Sequence, residues 1–266
     1  MIDNDLPHPV RLDELSWSQI AALQEGGMRM LMLPTGATEQ HGPHLPINTD
    51  SVIATRLTEA ASSITGIPCL PVMTYTVSAG HTAKWPGTFS LRHETFIHSI
   101  LDLVDWMVAS GWKRLLVVNS HFGNDAVLRV AIDQLRLRHL NRLQIGMVNT
   151  FLLTPSIKAY FFADAEDLHA NRAETDLMLH LAPDTVDMTA VEDDPDRTEG
   201  KVFSYPVSQT SLNGITGSPS EGTAEQGERL FREMAAALAE KASAALTETP
   251  PLDPSYWAGK SQLPAW

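Results

Sequence analysis

The chain has one cysteine, Cys69, so no intrachain disulfide can staple it. Basic residues are scarce: 19 Lys and Arg stand against 32 Asp and Glu, for a formal net charge of −13. That balance argues against a nucleic-acid surface or an anionic membrane as the main partner. No apolar run reaches the roughly 18 residues of a membrane span, and no basic segment followed by an apolar one opens the chain, so a cytoplasmic protein is expected. G-x-S-x-G is missing too, which removes the nucleophile elbow of a serine hydrolase. There is no internal repeat and no linker. The 266 residues therefore read as one domain, with an N-terminal arm over about 1–14 and a C-terminal tail over about 247–266.

What is present is ordinary globular material, 43% hydrophobic and 19% charged. Ser16 with Gln19 forms a capping box for a short helix that Gly26-Gly27 ends. Met28–Leu33 is an apolar run of strand length. A helical pattern covers about 51–62, and a second apolar run covers Ile67–Met73. Phe96, Ile100, Val104 and Met107 keep helical spacing up to Gly111. Leu115–Val118 reads as a buried strand, about 125–139 as a helix with Val127, Val130, Ala131 and Leu135 inward, and Gln144–Asn149 as another strand. An aromatic-rich insertion with Tyr160, Phe161 and Phe162 leads to an apolar helix, Leu177–Leu181. The acidic stretch 192–199 reads as a solvated loop. The last helix runs from about 224 to 246 on a buried stripe of Leu230, Phe231, Met234 and Leu238. The tail carries Tyr256, Trp257 and Trp266, aromatics suited to packing on a neighbouring subunit or on the chain itself. Strand and helix alternating at this spacing give an α/β fold with a mainly parallel sheet covered on both faces.

Ligands of such sheets bind beyond the carboxyl ends of strands. The stretch Leu33–Asp50, L-P-T-G-A-T-E-Q-H-G-P-H-L-P-I-N-T-D, follows the first strand. Glu39 and His41, two apart, share a face if locally extended. Asp50 opens the next helix, where a carboxylate is favoured. The stretch reads either as a polar surface loop with Asp50 as a helix cap, or as part of a site for a divalent ion of the zinc or manganese type. His121 follows the Leu115 strand, and if the two strands are neighbours, Glu39, His41 and His121 converge. His169 and Glu174, five apart, meet only if a helix begins between them; otherwise they form an exposed polar first turn. His81 lines a pocket or bonds its own loop. His44 is a supporting or a substrate contact. His93, His98, His139 and His180 lie in helical patterns and read as structural or solvent-facing.

Glu39-Gln40-His41-Gly42-Pro43-His44-Leu45-Pro46 with Thr49-Asp50 resembles the signature of the creatininase (creatinine amidohydrolase) family. The likeness continues through Pro86-Gly87-Thr88, Asn119-Ser120-His121-Phe122-Gly123-Asn124, His169-Ala170-Asn171-Arg172-Ala173-Glu174-Thr175 and Gly214-Ile215-Thr216-Gly217, and so spans nearly the whole chain. It implies a three-layer α/β/α fold and a dinuclear centre of two divalent ions, zinc, manganese or iron. Glu39, His41, Asp50 and His121 match metal ligands, with Asp50 as the bridge. In creatininase proper a Glu ligand stands where this chain has Gly123. The likeness therefore turns away from creatinine as substrate and gives Glu174 the vacant ligand role. His169 matches the acid/base position. His44, His81, Trp85 and Asn124 are expected to touch substrate, with Trp85 and the aromatics near Tyr160 walling the pocket. Asn171, Asp176 and Gly80 depart from the family pattern and bear on that pocket. The motif around His169 also looks like the mycofactocin precursor peptide peptidase branch, and formamide deformylases form another branch. The resemblance thus implies a metal-dependent amidohydrolase acting on a small amide, open-chain or cyclic, or on a short peptide or formamide. It also implies a homo-oligomer, often a hexamer. The rival of another class is a metal-bearing binding protein without catalysis, against which the intact ligand set speaks.

Overall fold

The computed structural model describes residues 7–82 and 84–256; residues 1–6 of the expected arm and Trp257 and Trp266 of the tail lie outside the described residues. Three parallel strands, β1 (Met30–Thr35), β2 (Arg114–Asn119) and β3 (Gln144–Asn149), lie in the order β1-β2-β3, with Thr35 opposite Asn119 and Asn119 opposite Asn149. The Ile67–Met73 run lies along the free side of β1. Met32 N–H donates to Pro68 O, Leu70 N–H to Met32 O and Met73 N–H to Pro34 O. It forms isolated bridges instead of a full strand, because Pro68 and Pro71 have no N–H to give. The donor missing at Pro34 falls on this same interrupted side, so the ladder to β2 stays whole.

Eight α-helices accompany the strands among the described residues: α1 (Trp17–Glu25), α2 (Thr49–Thr65), α3 (His93–Ala109), α4 (Asp125–Arg138), α5 (Pro155–Phe161), α6 (Arg172–Leu181), α7 (Val207–Thr210) and α8 (Ala224–Thr247). Side-chain alternation on the strands divides the core in two. Leu31, Leu33, Leu115 and Val117 pack with Phe96, Ile100 and Val104 of α3 and Leu128, Ala131 and Leu135 of α4. Met30, Met32, Leu116 and Val118 pack on the other face with Leu57 of α2, Leu177 of α6 and Met234 and Leu238 of α8. The result is the three-layer α/β/α arrangement the sequence predicts. One core assignment differs: Val130 is 48% exposed, and Leu128 takes the inward place, because Val127, Leu128, Ala131 and Leu135 form the stripe that faces the sheet. Gly227 lets α8 press on α6, since a Cβ there would fall on the Asp176 carbonyl. Arg114 donates to Ala245 O and Glu248 O at the end of α8, where a cation suits the helix dipole. Among the described residues no helix is long and apolar enough to cross a membrane.

Candidate metal centre

β1 and β2 end side by side at Thr35 and Asn119, and their loops turn over the same end of the sheet. The loop after β1 is closed on itself: Glu39 N–H donates to Ile47 O, and His41 bridges Leu45. Gly42 sits at its turn with φ 67°, and a Cβ there would meet Ile215 at 2.5 Å. This closure brings Glu39, His41 and Asp50 together, each at most 1% exposed. His121 enters from β2: its Nδ1 lies 3.1 Å from Asp50 Oδ2 and its Nε2 lies 3.4 Å from Glu39 Oε2. His41 Nε2 is 3.3 Å from Asp50 Oδ1.

The third component comes from the start of α6. Asn171 is its N-cap, its Oδ1 accepting from Glu174 N–H at 3.2 Å while its Nδ2 donates to Phe161 O and Asp164 Oδ1. The helix thus begins between His169 and Glu174. Ala170, buried and held at φ 49°, turns the chain so that both face the centre; a left-handed alanine costs about 1–2 kcal/mol. His169 Nδ1 lies 3.4 Å from Glu39 Oε1. Ligand atoms of three trios, Glu39–Asp50–His121, His41–His169–Glu174 and Glu39–His81–His169, fall within 4.8 Å of one another.

Hydrogen bonds prepare these imidazoles as ligands. His41 Nδ1–H donates to Glu39 O at 2.9 Å, and His121 Nε2–H donates to Val77 O at 2.9 Å, which leaves the other nitrogen of each ring facing the carboxylates as the one that would take a cation, or a proton in its place. Both oxygens of Glu39, Asp50 Oδ2, Glu174 Oε2 and His41 Nε2 are buried with no hydrogen-bond partner among the described residues. Three buried carboxylates and unpaired ring nitrogens facing one another are costly alone and fit divalent cations between them. Burial pulls the His41 and His121 rings down, but the surrounding carboxylates, Asp50 first for His41 and Glu39 first for His121, outweigh it and lift them to about 10 and about 9. Burial raises Asp50, yet His41 and His121 hold its carboxyl far below the usual range. Burial lifts Glu174 to about 7 against the pull of His41. Protons thus sit where cations would.

The cavity over this cluster holds about 230 Å3 and is walled by Val77, His81, Phe122, Phe151, Leu168 and Val207, with His93 at its edge. The expected substrate contacts divide. His81 is on the wall. His44 is not: its Nε2 is spent on Thr175 Oγ1 at 2.9 Å, behind the centre, and burial with the charge of His41 lowers it to about 4. Asn124 is fully buried and ties the loops, donating to Gly36 O and Asn119 Oδ1 and accepting from Val77 N–H. Trp85 lies off the wall under Lys84, whose Nζ is 4.6 Å from its ring, and Tyr160 donates to Asp176 Oδ2 at 2.6 Å. Phe122 and Phe151, stacked at 5.4 Å, supply the aromatic wall instead. Neither was singled out from sequence, and the position of Phe122 directly after His121 was the available signal. His93, expected to be structural or solvent-facing, is exposed and also reaches the edge of the cavity, because α3 starts there. Asn171 and Asp176 prove to be frame residues: Asp176 Oδ1 also accepts from Thr223 N–H at the start of α8. Gly123 is closely packed. A Cβ there would come within 2.6 Å of His121 Nε2 and 2.8 Å of Val77 O, on the bond that orients the ring.

Residues 13–242 match the family described as Creatininase: Creatinine amidohydrolase. Creatinine amidohydrolase of Pseudomonas putida is 28% identical over 84% of this chain and 92% of its own length. Mycofactocin precursor peptide peptidase of Mycolicibacterium smegmatis is 33% identical over 80% of this chain and 83% of its own. A manganese creatininase structure superposes with a TM-score of 0.79 at 25% identity, covering 90% of this chain and 100% of that chain, and a mutant creatininase of Zn-Zn type gives 0.78 at 25% identity over 90% and 99%. With the fold, the ordered motifs and these likenesses in agreement, the chain belongs to the creatininase family.

Proposed function

We propose that this chain hydrolyses an amide C–N bond with two divalent ions, zinc or manganese, with iron chemically compatible. Membership of the creatininase family makes it a hydrolase acting on amide C–N bonds. The observation that carries the metal reading is the set of partnerless buried atoms on Glu39, Asp50, Glu174 and His41 around one cavity. Glu39, Asp50 and His121 would hold one ion, and His41 and Glu174, with Asp50 shared, the other. Ions bound there lower the pKa of water and polarise a carbonyl. The chain's own groups do the rest. His169 takes the proton of the attacking water on Nδ1 and delivers it to the departing nitrogen, a role for which imidazole is suited. The apolar wall of Phe122, Phe151 and Val207 keeps bulk water from the reacting carbonyl.

The substrate is a small amide, open-chain or cyclic. Action on a short peptide is the second reading, favoured by a cavity of about 230 Å3 that accommodates a reacting amide while Phe122, 53% exposed, lies at its mouth for the remainder. A homo-oligomer, a hexamer by family likeness, belongs with this proposal and is checked by sedimentation. The test is turnover by zinc- or manganese-loaded protein on lactams, cyclic ureides, formamides and short peptides. Loss of metal in Asp50→Ala and a fall in turnover of more than about 100-fold are expected. Full metal occupancy in that variant would remove Asp50 as the bridge. His169→Ala should lose turnover and keep its metal. A fully loaded protein that turns over none of the panel would favour the non-catalytic rival.

A further inference from the structure

Gln40 lies between two candidate ligands, yet its own carboxamide is aimed at neither oxygen of Glu39. It is 4% exposed, and each polar atom has a partner. Its N–H donates to Thr88 Oγ1 at 3.0 Å, and its Oε1 accepts from Gly42 N–H at 3.0 Å. Its Nε2 donates to Gly214 O at 3.1 Å, which together with the Gly42 bond fixes which end of the amide is nitrogen. Its backbone carbonyl oxygen lies 2.7 Å from His169 Nε2. A carbonyl only accepts, so His169 Nε2 carries the hydrogen, and its Nδ1 is left as a lone pair toward the centre. His169 itself is held by a two-bond bridge to Thr216.

The second amide hydrogen of Gln40 then has one acceptor left. His169 Nε2, 3.1 Å away, is a donor and cannot take it. His81 Nδ1, at 3.3 Å, can. Glu39 Oε1 competes for that nitrogen at 3.4 Å, but the angle makes no hydrogen bond, and Glu39 Oε1 stays partnerless. Leaving the buried amide hydrogen unsatisfied is costly. His81 therefore carries its hydrogen on Nε2, the far side of the ring, as the polar group it can offer to a molecule in the cavity.

We infer that Gln40 is a positioning residue that gives the two imidazoles opposite tasks, His169 presenting an acceptor at Nδ1 and His81 a donor at Nε2–H aimed at the substrate carbonyl. This rests on the hydrolase reading for its consequence, and on hydrogen-bond geometry for its content. No residue of the metal set is changed by it.

Nitrogen-15 spectra of the metal-loaded protein labelled in histidine test the geometry without turnover. Hydrogen on Nε2 is expected for both His81 and His169, and Gln40→Leu should turn His81 into a mixture of tautomers at unchanged metal content. A hydrogen on His81 Nδ1 in the unaltered protein would overturn the inference. The donor role is read with acetohydroxamate as a carbonyl-bearing probe. His81→Leu should weaken its binding about tenfold, the worth of one hydrogen bond, and His81→Gln, whose amide nitrogen reaches the Nε2 position, should recover most of it. Equal binding by the two variants would overturn the donor role. Absence of turnover with the expected tautomers would count against the hydrolase reading and leave the positioning intact.

Discussion

At the scale of single residues, the centre is defined by which nitrogen or oxygen is left free. Backbone carbonyls of Glu39 and Val77 take one hydrogen each from His41 and His121, so the second nitrogen of each ring would meet a cation once its proton is displaced. Gly123 protects that arrangement. Gly123→Ala should displace the His121 ring and weaken metal binding about 10- to 100-fold, measured by competition with a chelating dye. Affinity equal to the unaltered protein would show that the Val77 bond is dispensable. Protonation gives a second prediction. His41 and His121 are raised in the folded, metal-free chain to about 10 and about 9. Their stabilising charge is therefore fully present below the unfolded value near 6.5 and lost as pH rises through 9 to 10. Melting temperature of metal-free protein should fall over that interval. Metal affinity should rise over it, because the ion competes with protons for the same nitrogens. Calorimetry in buffers of different ionisation enthalpy should accordingly show protons released on metal loading near pH 8. A metal-free melting curve that climbs from pH 8 to 10 would contradict the assignment.

At the scale of elements, the start of α6 decides whether the third component of the centre exists. Spacing alone leaves His169 and Glu174 on different faces, and the condition stated from sequence, a helix beginning between them, is met at Asn171 and Arg172. What the residues did not disclose is the turn at Ala170, since nothing in alanine announces a positive φ. The cap is testable. Asn171→Ala removes bonds to Glu174 N–H, Phe161 O and Asp164, and should cost about 1–2 kcal/mol in denaturant unfolding. It should also lower metal content, because Glu174 is positioned by the first turn. Lost stability with unchanged metal would separate the cap from the centre. β3 was legible to the residue and β2 to within one residue at each end, because apolar runs bounded by polar residues have few alternatives; β1 was read as Met28–Leu33 and runs two residues later, Met30–Thr35, with Pro34 inside it. Ile67–Met73 resembled them in composition and fell short through its prolines.

At the scale of the whole molecule, the buried carboxylates are a load that the two apolar layers carry and that bound cations would relieve. Removing metal with a chelator should lower the melting temperature, and loading at 100 times Kd should restore about 2.7 kcal/mol. Identical melting with and without metal would mean that no ion is held by the folded chain. The sequence by itself determined the layer order, the parallel sheet and the motifs at strand ends, because hydrophobic period and turn chemistry are local and survive translation into structure directly. It also put forward Glu39, His41, Asp50, His121, His169 and Glu174 as candidate site residues, which the structure brings together around one cavity. Only the tertiary structure decided which of the polar loop residues face the cavity. His44 and Asn124 are bound into the framework and Trp85 lies off the wall, while His93, Phe122 and Phe151 line the cavity, because a side chain's direction at a loop is set by the bonds its neighbours from distant segments leave open.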